Sequence, residues 1–442
     1  MWNSPNPAKP SSFTHPMQLL QSLLLLLALS APAFAQNTGL NVLHYRAVLM
    51  PDIQAQYLKG QVTVEYELPL QESEMVLDAG GLEIDYIDGE QVEDFAKKGS
   101  KLRIQLSPSR EPAGEMTIHY QGSPNRGLLF DPEGNQAYTV YFTSAWMPCH
   151  DVPHDKAKID LNIVVPEGLD CVASGDLFWK EEGVYHWSQK VESPTYTYGF
   201  AIGDFQSDKK LYQNTQVANY AVNYELDELR YIFRETPAML AWFEEKTGVP
   251  YDQSSYSQVL MGNHYQEMSG FAVLRDSYGA LVLKDSTETN LISHELAHQW
   301  WGNRITCETF SHFWLNEAFA TYMSAAYNQH RFGEEKYMAD ITSYRKVYEA
   351  VKGRGNDKPL VFKDWINPSG DDRSLVYFKG AYVLHLLRQE LGDEAFWAGV
   401  KAYSQQYADA TVTTADFQRA MEAATERDLT GFFDQWVYGL PE

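Results

Sequence analysis

The segment LISHELAHQWWGN (residues 291–303) places His294 and His298 four positions apart. Helix-capping residues precede it from position 285, and Gly302 is typical of the position just past a helix end, so we predict one helix across the segment. Four residues make about one helical turn, and both imidazoles therefore point to the same face. The two side chains can bind one metal ion, and Glu295 lies beside them.

A catalytic zinc ion takes three protein ligands and leaves its fourth position to water. The next predicted helix, FWLNEAFATYMSAAY (residues 313–327), contains Glu317, with eighteen residues between it and His298. We therefore predict one zinc ion bound by His294, His298 and Glu317, with Glu295 as the general base. As an alternative, the two histidines are ordinary core residues, but burying these polar groups without partners would be costly.

The chain outside this segment divides by the period of its apolar residues. Up to about residue 205, segments such as QVTVEYELPL (residues 61–70) alternate polar and apolar positions, as antiparallel strands do. After residue 206, apolar residues recur three and four positions apart, as in SLVYFKGAYVLHLLRQELG (residues 374–392), which indicates amphipathic helices. A few strands persist there. We predict an α+β multidomain protein with an antiparallel β domain at residues 36–205 and a mainly helical catalytic domain at residues 206–442.

Charge and composition exclude some partners. The 442 residues carry 35 Lys and Arg against 59 Asp and Glu, a formal net charge of -24, and no basic cluster interrupts this excess. Nucleic acid and anionic membrane surfaces are therefore poor partners. The sequence does not indicate an oligomeric state.

The amino terminus resembles a secretory signal peptide. An apolar run from Leu19 to Ala31 is followed by Ala33-Phe34-Ala35, a small-x-small cleavage pattern before Gln36. The run is shorter than the roughly 20 residues of a membrane span, so we expect no stable membrane association. We predict cleavage near Ala35 and export to the periplasm or the medium.

The three cysteines leave two alternatives open. Cys149 and Cys171 flank a predicted hairpin and are the best candidates for one disulfide in an exported protein. The other alternative is that both are free and buried, as cysteines often are. Cys307 has no proposed partner.

The motifs HELAHQWWGN and WLNEAFATY resemble those of the M1 (gluzincin) zinc aminopeptidases. Three further stretches resemble the same family in chain order: AWMPCHDVPHDKAKIDLNIVVPEG (residues 145–168), FEEKTGVPY (residues 243–251) and DLTGFFDQWVYGLPE (residues 428–442). The resemblance implies a thermolysin-like catalytic domain in a short form that lacks the family's C-terminal helical domain, with a more open cleft. It implies zinc-dependent removal of amino-terminal residues from peptide substrates.

The same resemblance implies further site residues. Glu267 matches the glutamate with which the family binds the substrate α-amine, although the residues around it differ, and Gln266 is a second candidate contact to that amine. Tyr377, beside Lys379-Gly380-Ala381, matches the tyrosine that hydrogen-bonds the developing oxyanion. Family members carry a glutamine on a strand of the β domain that reaches the site, and Thr139 stands at this position.

Alternatives to this assignment remain. The altered amine-binding motif and missing domain are also compatible with a metalloendopeptidase, and a family fold can persist as a catalytically inactive, zinc-stabilised binding protein. The run HDVPHD (residues 150–155) contains metal-ligand residue types, but it lies within a family-like segment. We interpret it as loop structure rather than a second metal site.

Overall fold

Strands fill the chain from Asn41 to Ala221, where the sequence alternates polar and apolar residues. The structure is a computed structural model that describes residues 39–363, 365 and 368–439, so the predicted signal peptide lies outside the described residues. In chain order the strands of this part are β1 (Asn41–Asp52), β2 (Tyr57–Glu67), β3 (Glu74–Asp78), β4 (Glu83–Asp88), β5 (Val92–Lys98), β6 (Lys101–Leu106), β7 (Ala113–Gly122), β8 (Leu128–Asp131), β9 (Gln136–Thr139), β10 (Lys156–Val164), β11 (Asp170–Ala173), β12 (Asp176–Glu181), β13 (Val184–Pro194), β14 (Phe200–Gly203), β15 (Gln206–Tyr212) and β16 (Thr215–Ala221).

The first fourteen strands form three sheets. The largest has seven strands in the order β12-β13-β10-β1-β2-β7-β4, and the others have the orders β11-β14-β9-β8 and β3-β6-β5. Among the described strands of these sheets, neighbours are antiparallel except β1 and β10, which run parallel with Tyr45 opposite Ile159. The predicted β domain is confirmed, with this parallel pair as a local difference.

A five-stranded sheet lies between the two hydrophobic cores. Strands β17 (Ser255–Leu260), β18 (Gln266–Met268) and β19 (Phe271–Leu274) join β15 and β16 in the order β15-β16-β17-β19-β18, so β18 is an edge strand. Alternate residues of β19 face opposite cores: Ala272 packs with the helices and Val273 with the β domain. The boundary near residue 206 stays a prediction, because the chain from Gly39 onward forms one compact unit.

Helices dominate the remainder of the chain, which confirms the predicted α+β fold class. They are α1 (Leu226–Ile232), α2 (Thr236–Thr247), α3 (Ser277–Lys284), α4 (Asn290–Ala297), α5 (Trp314–Phe332), α6 (Glu334–Gly353), α7 (Gly370–Ser374), α8 (Gly380–Leu391), α9 (Asp393–Gln406), α10 (Thr414–Thr425) and α11 (Thr430–Phe433), with short strands β20 (Thr306–Cys307) and β21 (Thr411–Val412).

Helix α5 is the centre of the catalytic half. Every residue from Trp314 to Asn328 is buried, and a helix that is buried all round must lie inside the domain. Helix α8 approaches it so closely that a Cβ atom on Gly380 would lie 2.5 Å from the Ala318 side chain. The position therefore requires glycine.

All three cysteines are free and buried, so the structure selects the second of the two alternatives above. Cys149 and Cys171 belong to the core of the β domain and Cys307 to the helical core. Within the described part of the chain, none of the helices combines the length and apolar character that crossing a bilayer requires.

Candidate metal centre

The histidine helix α4 is shorter than the sequence predicts. It begins at Asn290 instead of near Asp285, because the Asp285 carboxylate accepts hydrogen bonds from the backbone N–H and hydroxyl of Thr287 and stabilises a turn. His298 lies one residue past the last helical residue but keeps helical backbone angles. The one-turn separation between His294 and His298 is therefore preserved.

Three side chains converge at this helix. The Nε2 atoms of His294 and His298 are 3.1 Å apart, and each lies 3.5 Å from Oε2 of Glu317. Ligand atoms of a tetrahedral zinc site with bonds near 2.0–2.2 Å lie about 3.4 Å apart. The three atoms thus have the spacing of one face of such a tetrahedron.

The bonding state of these atoms supports the same interpretation. Oε2 of Glu317 is buried and has no hydrogen-bond partner among the described residues, which is costly unless a cation satisfies it. Nδ1 of His298 lies 2.9 Å from the Trp301 carbonyl oxygen, a contact that fixes the ring with Nε2 towards the centre. Nδ1 of His294 lies 3.4 Å from the Thr321 hydroxyl. The residues present fit a zinc ion.

The electrostatics of the centre favour positive charge. Burial by itself would lower the pKa of His298, yet the carboxylates of Glu267 and Glu317 raise it to about 10. Burial likewise opposes ionisation of Glu317, but His298 and His294 lower its pKa to about 2. Three buried glutamates, these two and Glu295, surround one point, and a divalent cation would neutralise their excess charge.

Glu295 is placed as a general base requires. Its side chain is buried, and burial raises its pKa well above the ordinary value. Its carboxylate lies with those of Glu267 and His298 in a group whose potential ligand atoms are all within 4.8 Å of one another. No hydrogen bond from the described residues holds this carboxylate, so it is available to a water molecule.

Glu267 lies on β18, the edge strand next to the histidine helix. The residues that follow His298 fasten this strand: the side-chain amides of Gln299 and Asn303 donate to the Met268 carbonyl at 2.9 and 3.2 Å, and Gln299 accepts from the Gly270 N–H. The Glu267 side chain is 4 % exposed, and burial raises its pKa to about 7. The fold thereby holds a carboxylate beside the metal ligands.

Gln266 has a different environment from the one predicted. Its amide nitrogen donates to the Tyr196 carbonyl at 2.7 Å, and its amide oxygen accepts from the Tyr141 N–H. Both ends of the amide therefore join β18 to backbone of the β domain. This geometry favours a structural role and gives no support to the predicted contact with a substrate amine.

Tyr377 lies on the opposite side of His294. The two rings stack with centroids 5.8 Å apart and an interplanar angle of 11°. Burial raises the pKa of the tyrosine well above 10, and Glu317 raises it further, so the hydroxyl stays a protonated donor. Tyr377 belongs to a π-helical turn, Leu375–Lys379, a conformation that often marks functional positions.

A buried ion pair holds this turn. Lys379, whose side chain is fully buried, donates to Oδ1 of Asp357 at 2.8 Å and to the Lys358 carbonyl at 2.6 Å. Lys379→Met leaves the Asp357 carboxylate unpaired, and we expect a loss of roughly 3 kcal/mol of stability. Because the π-helical turn loosens, kcat falls about tenfold with KM little changed, which thermal unfolding and steady-state kinetics measure.

Lys358→Met is the matched control for that variant. Lys358 pairs with Asp372 at the surface, where its own side chain is 45 % exposed, so its loss changes stability by less than about 1 kcal/mol. Equal effects of the two substitutions on kcat would contradict a specific role of Lys379 in positioning Tyr377.

The β domain contributes Tyr141, which the sequence analysis missed. The Tyr141 hydroxyl donates to the Tyr265 carbonyl at 2.9 Å, and burial raises its pKa well above 10, with Glu267 and Glu295 adding to the effect. Its backbone is in the left-handed region with φ 49°, and so is that of Phe142 with φ 33°. Two adjacent strained residues at a site wall are a functional signal.

Thr139, the predicted counterpart of the family's glutamine, does not have that role. Its hydroxyl accepts from the Phe200 N–H at 2.9 Å inside the β domain. The strand β9 ends at this residue, and Tyr141, two positions later, is the side chain of this segment that reaches the site. An alignment by position alone misses the turn that redirects the chain.

The HDVPHD run is loop structure. Nδ1 of His150 lies 2.7 Å from Asp155, which also accepts from the Val42 N–H, and Nδ1 of His154 lies 3.2 Å from the Glu308 carbonyl. Among the described residues, the groups that could hold a metal ion are those around Glu317 and Glu267.

Sequence profiles of two domains match the chain. The Peptidase family M1 domain matches residues 231–436, and the Peptidase M1 N-terminal domain matches residues 41–197. The chain belongs to peptidase family M1. The predicted family, and with it a peptidase assignment, is confirmed.

Relatives of this M1 chain include several aminopeptidases. The chain is 28% identical over 322 residues to leucine aminopeptidase 2 of Ajellomyces capsulatus, covering 66% of this chain and 50% of that protein. It is 27% identical over 340 residues to aminopeptidase N of Streptomyces lividans, covering 70% of this chain and 38% of that protein. It thus spans about half or less of the length of these relatives.

Solved structures share the fold over most of the M1 chain. An M1 zinc metallopeptidase from Deinococcus radiodurans superposes with a TM-score of 0.74 at 22% identity, covering 91% of this chain and 95% of that one. Native yeast LTA4 hydrolase superposes with a TM-score of 0.78 at 21% identity, covering 93% of this chain and 71% of that one.

Proposed function

We propose that the chain is a zinc-dependent aminopeptidase that removes amino-terminal residues from peptides. The observation that carries this proposal is the spacing of the His294, His298 and Glu317 ligand atoms, with two further buried carboxylates, Glu295 and Glu267, beside them. The names of the relatives agree with this activity. The Deinococcus radiodurans metallopeptidase has been crystallised with a Tyr-Ser-Ala substrate, which supports a peptide substrate here.

Each residue has a separate role in the proposed hydrolysis. A zinc ion held by the two histidines and Glu317 would lower the pKa of a water molecule and polarise the scissile carbonyl. Glu295 takes the proton from the attacking water and returns it to the leaving amine. The Tyr377 hydroxyl donates to the carbonyl oxygen as negative charge develops there. Glu267 binds the α-ammonium group and so positions the first peptide bond for attack.

The test is hydrolysis of alanine p-nitroanilide by the purified full chain. We expect activity that a chelator abolishes and one equivalent of zinc restores. Zinc also raises the melting temperature of the chelated protein, because the metal binds the folded state and offsets the repulsion among the buried carboxylates. Hydrolysis that persists after complete metal removal, or failure to cleave any free-amine substrate with zinc bound, would contradict the proposal.

A further inference from the structure

A cavity of about 360 Å³ opens on one side of the metal centre. Its lining includes His294 and Tyr377 at the inner end and Tyr265 and Arg275 further out. Glu267 does not line it; the Glu267 carboxylate groups instead with Glu295 and His298. The cavity and the proposed amine-binding residue therefore lie on different sides of the metal ligands.

Strand β18 sets the direction of a bound peptide. An extended peptide with its amine at Glu267 and its first carbonyl at the metal centre continues towards Tyr265, which precedes β18 and lines the cavity. Residues two positions apart in an extended chain face the same side, about 7 Å apart. The leaving part of the substrate, beyond the scissile bond, therefore enters the cavity.

Arg275 is a free cation at the wall of this cavity. Its side chain is exposed, and across the described residues it forms neither a hydrogen bond nor an ion pair. Glu288, the acidic residue that also lines the cavity, is engaged elsewhere: its carboxylate accepts from the Tyr278 hydroxyl at 3.1 Å and from the Asn290 N–H at 2.9 Å. In a chain with a net charge of -24, an unpaired arginine in the substrate cleft is unusual.

The electrostatic environment of Tyr265 locates this charge. Burial raises the pKa of Tyr265, and Glu295 and Glu317 raise it further, whereas Arg275 and Arg373 act in the opposite direction. The two arginines therefore lie close enough to the Tyr265 hydroxyl to affect it, on the same side as the cavity. An anion that enters beside Tyr265 meets positive charge.

Strand geometry gives the length of peptide that fits. Glu267 pairs with Ala272 across the sheet, and Arg275 follows Ala272 by three residues, about 10 Å along the chain. An extended tripeptide spans about the same 10 Å from amine to carboxylate. Guanidinium groups bind carboxylates through two parallel hydrogen bonds, which fixes both position and orientation.

We propose that Arg275 binds the terminal carboxylate of a short peptide and makes tripeptides with a free carboxyl group the preferred substrate class. This inference rests on the proposed function, since it takes Glu267 as the anchor for the opposite end. The two anchors hold a tripeptide by both termini, with its first peptide bond at the metal centre. Longer peptides and amidated peptides lose the contact with Arg275.

The test compares trialanine with trialanine amide, which differ only in the terminal charge. We expect the zinc-loaded wild-type protein to favour the free acid by roughly 10- to 100-fold in kcat/KM, the effect of a charge-assisted pair. Arg275→Gln reduces this ratio to about one, and Arg275→Lys gives an intermediate ratio because it keeps the charge without the paired donors. Arg419→Gln, at an exposed arginine on α10, keeps the wild-type ratio.

Two results would overturn the inference: equal wild-type rates on acid and amide, or an unchanged ratio in Arg275→Gln. The first comparison needs no variant, so a folding defect does not affect it. Alanine p-nitroanilide separates this inference from the proposed function, because it has no carboxylate for Arg275. If the anilide is cleaved without any acid preference, Arg275 alone is misassigned; if the anilide is not cleaved, the aminopeptidase assignment fails.

Discussion

Glu295→Gln is expected to lower kcat on alanine p-nitroanilide by about 1,000-fold or more while the protein still binds one zinc ion. General acid–base catalysis contributes roughly 100- to 10,000-fold, and Glu295 would supply it twice, to the attacking water and to the leaving amine. Glutamine has nearly the same shape, so the packing of this buried residue is preserved. The metal ligands are other side chains, and zinc binding is therefore retained.

Metal analysis of the same preparation makes that result interpretable. Zinc content measured beside kcat separates loss of the base from loss of the metal. Glu390→Gln, at an exposed position near the end of α8, is the matched control for the same chemical change and is expected to keep wild-type turnover. A Glu295→Gln protein that holds zinc and retains kcat within tenfold of wild type would exclude Glu295 as the general base.

The elements that could be predicted from the sequence are those with a local pattern. The period-two alternation of β1 and β2 and the all-round apolar sequence of α5 are properties of neighbouring residues. The metal ligands were predictable for the same reason, because one turn of helix brings His294 and His298 together whatever the rest of the chain does. Glu317 required the additional assumption that the next helix returns to the first.

The parts that could not be predicted depend on contacts between distant segments. Gln266 looked like a substrate contact, but its amide is held by backbone of Tyr141 and Tyr196, more than sixty residues away in sequence. Tyr141 was missed because its position follows from two left-handed residues at 141 and 142, which no sequence rule assigns to tyrosine or phenylalanine. The start of α4 was misplaced because a side-chain turn at Asp285 competes with helix.

Arg275 shows the same limit for charge. In the sequence it is one of 35 basic residues, most of which pair with neighbouring acids. Only the fold shows that it lines the cavity beside the metal centre while the adjacent Glu288 is bonded to Tyr278 and Asn290. An unpaired charge is a relationship among several segments, so no local motif reveals it.

Glu267→Gln is expected to reduce kcat/KM on free-amine substrates by roughly 100- to 1,000-fold, because removing one partner of a buried charge pair costs about 2–5 kcal/mol. Apart from its own backbone, no described residue donates a hydrogen bond to the Glu267 carboxylate, so an α-ammonium group would be its main partner. The ammonium group would also lie near the bound metal ion, and the carboxylate offsets the repulsion between these two cations.

The diagnostic measurement is the ratio of cleavage of alanyl peptides with free and with acetylated amino termini. The wild-type protein favours the free amine, and Glu267→Gln lowers that ratio because an acetylated terminus carries no charge for Glu267 to bind. Glu308→Gln, at an exposed residue, controls for the loss of one negative charge from this already acidic chain. An equal loss on both substrates would mean that Glu267 supports the metal centre rather than the amine, and the exopeptidase assignment would then lack its anchor. Retention of zinc by the variant distinguishes these two roles, since a residue that supports the metal changes its affinity and one that binds only the ammonium group does not.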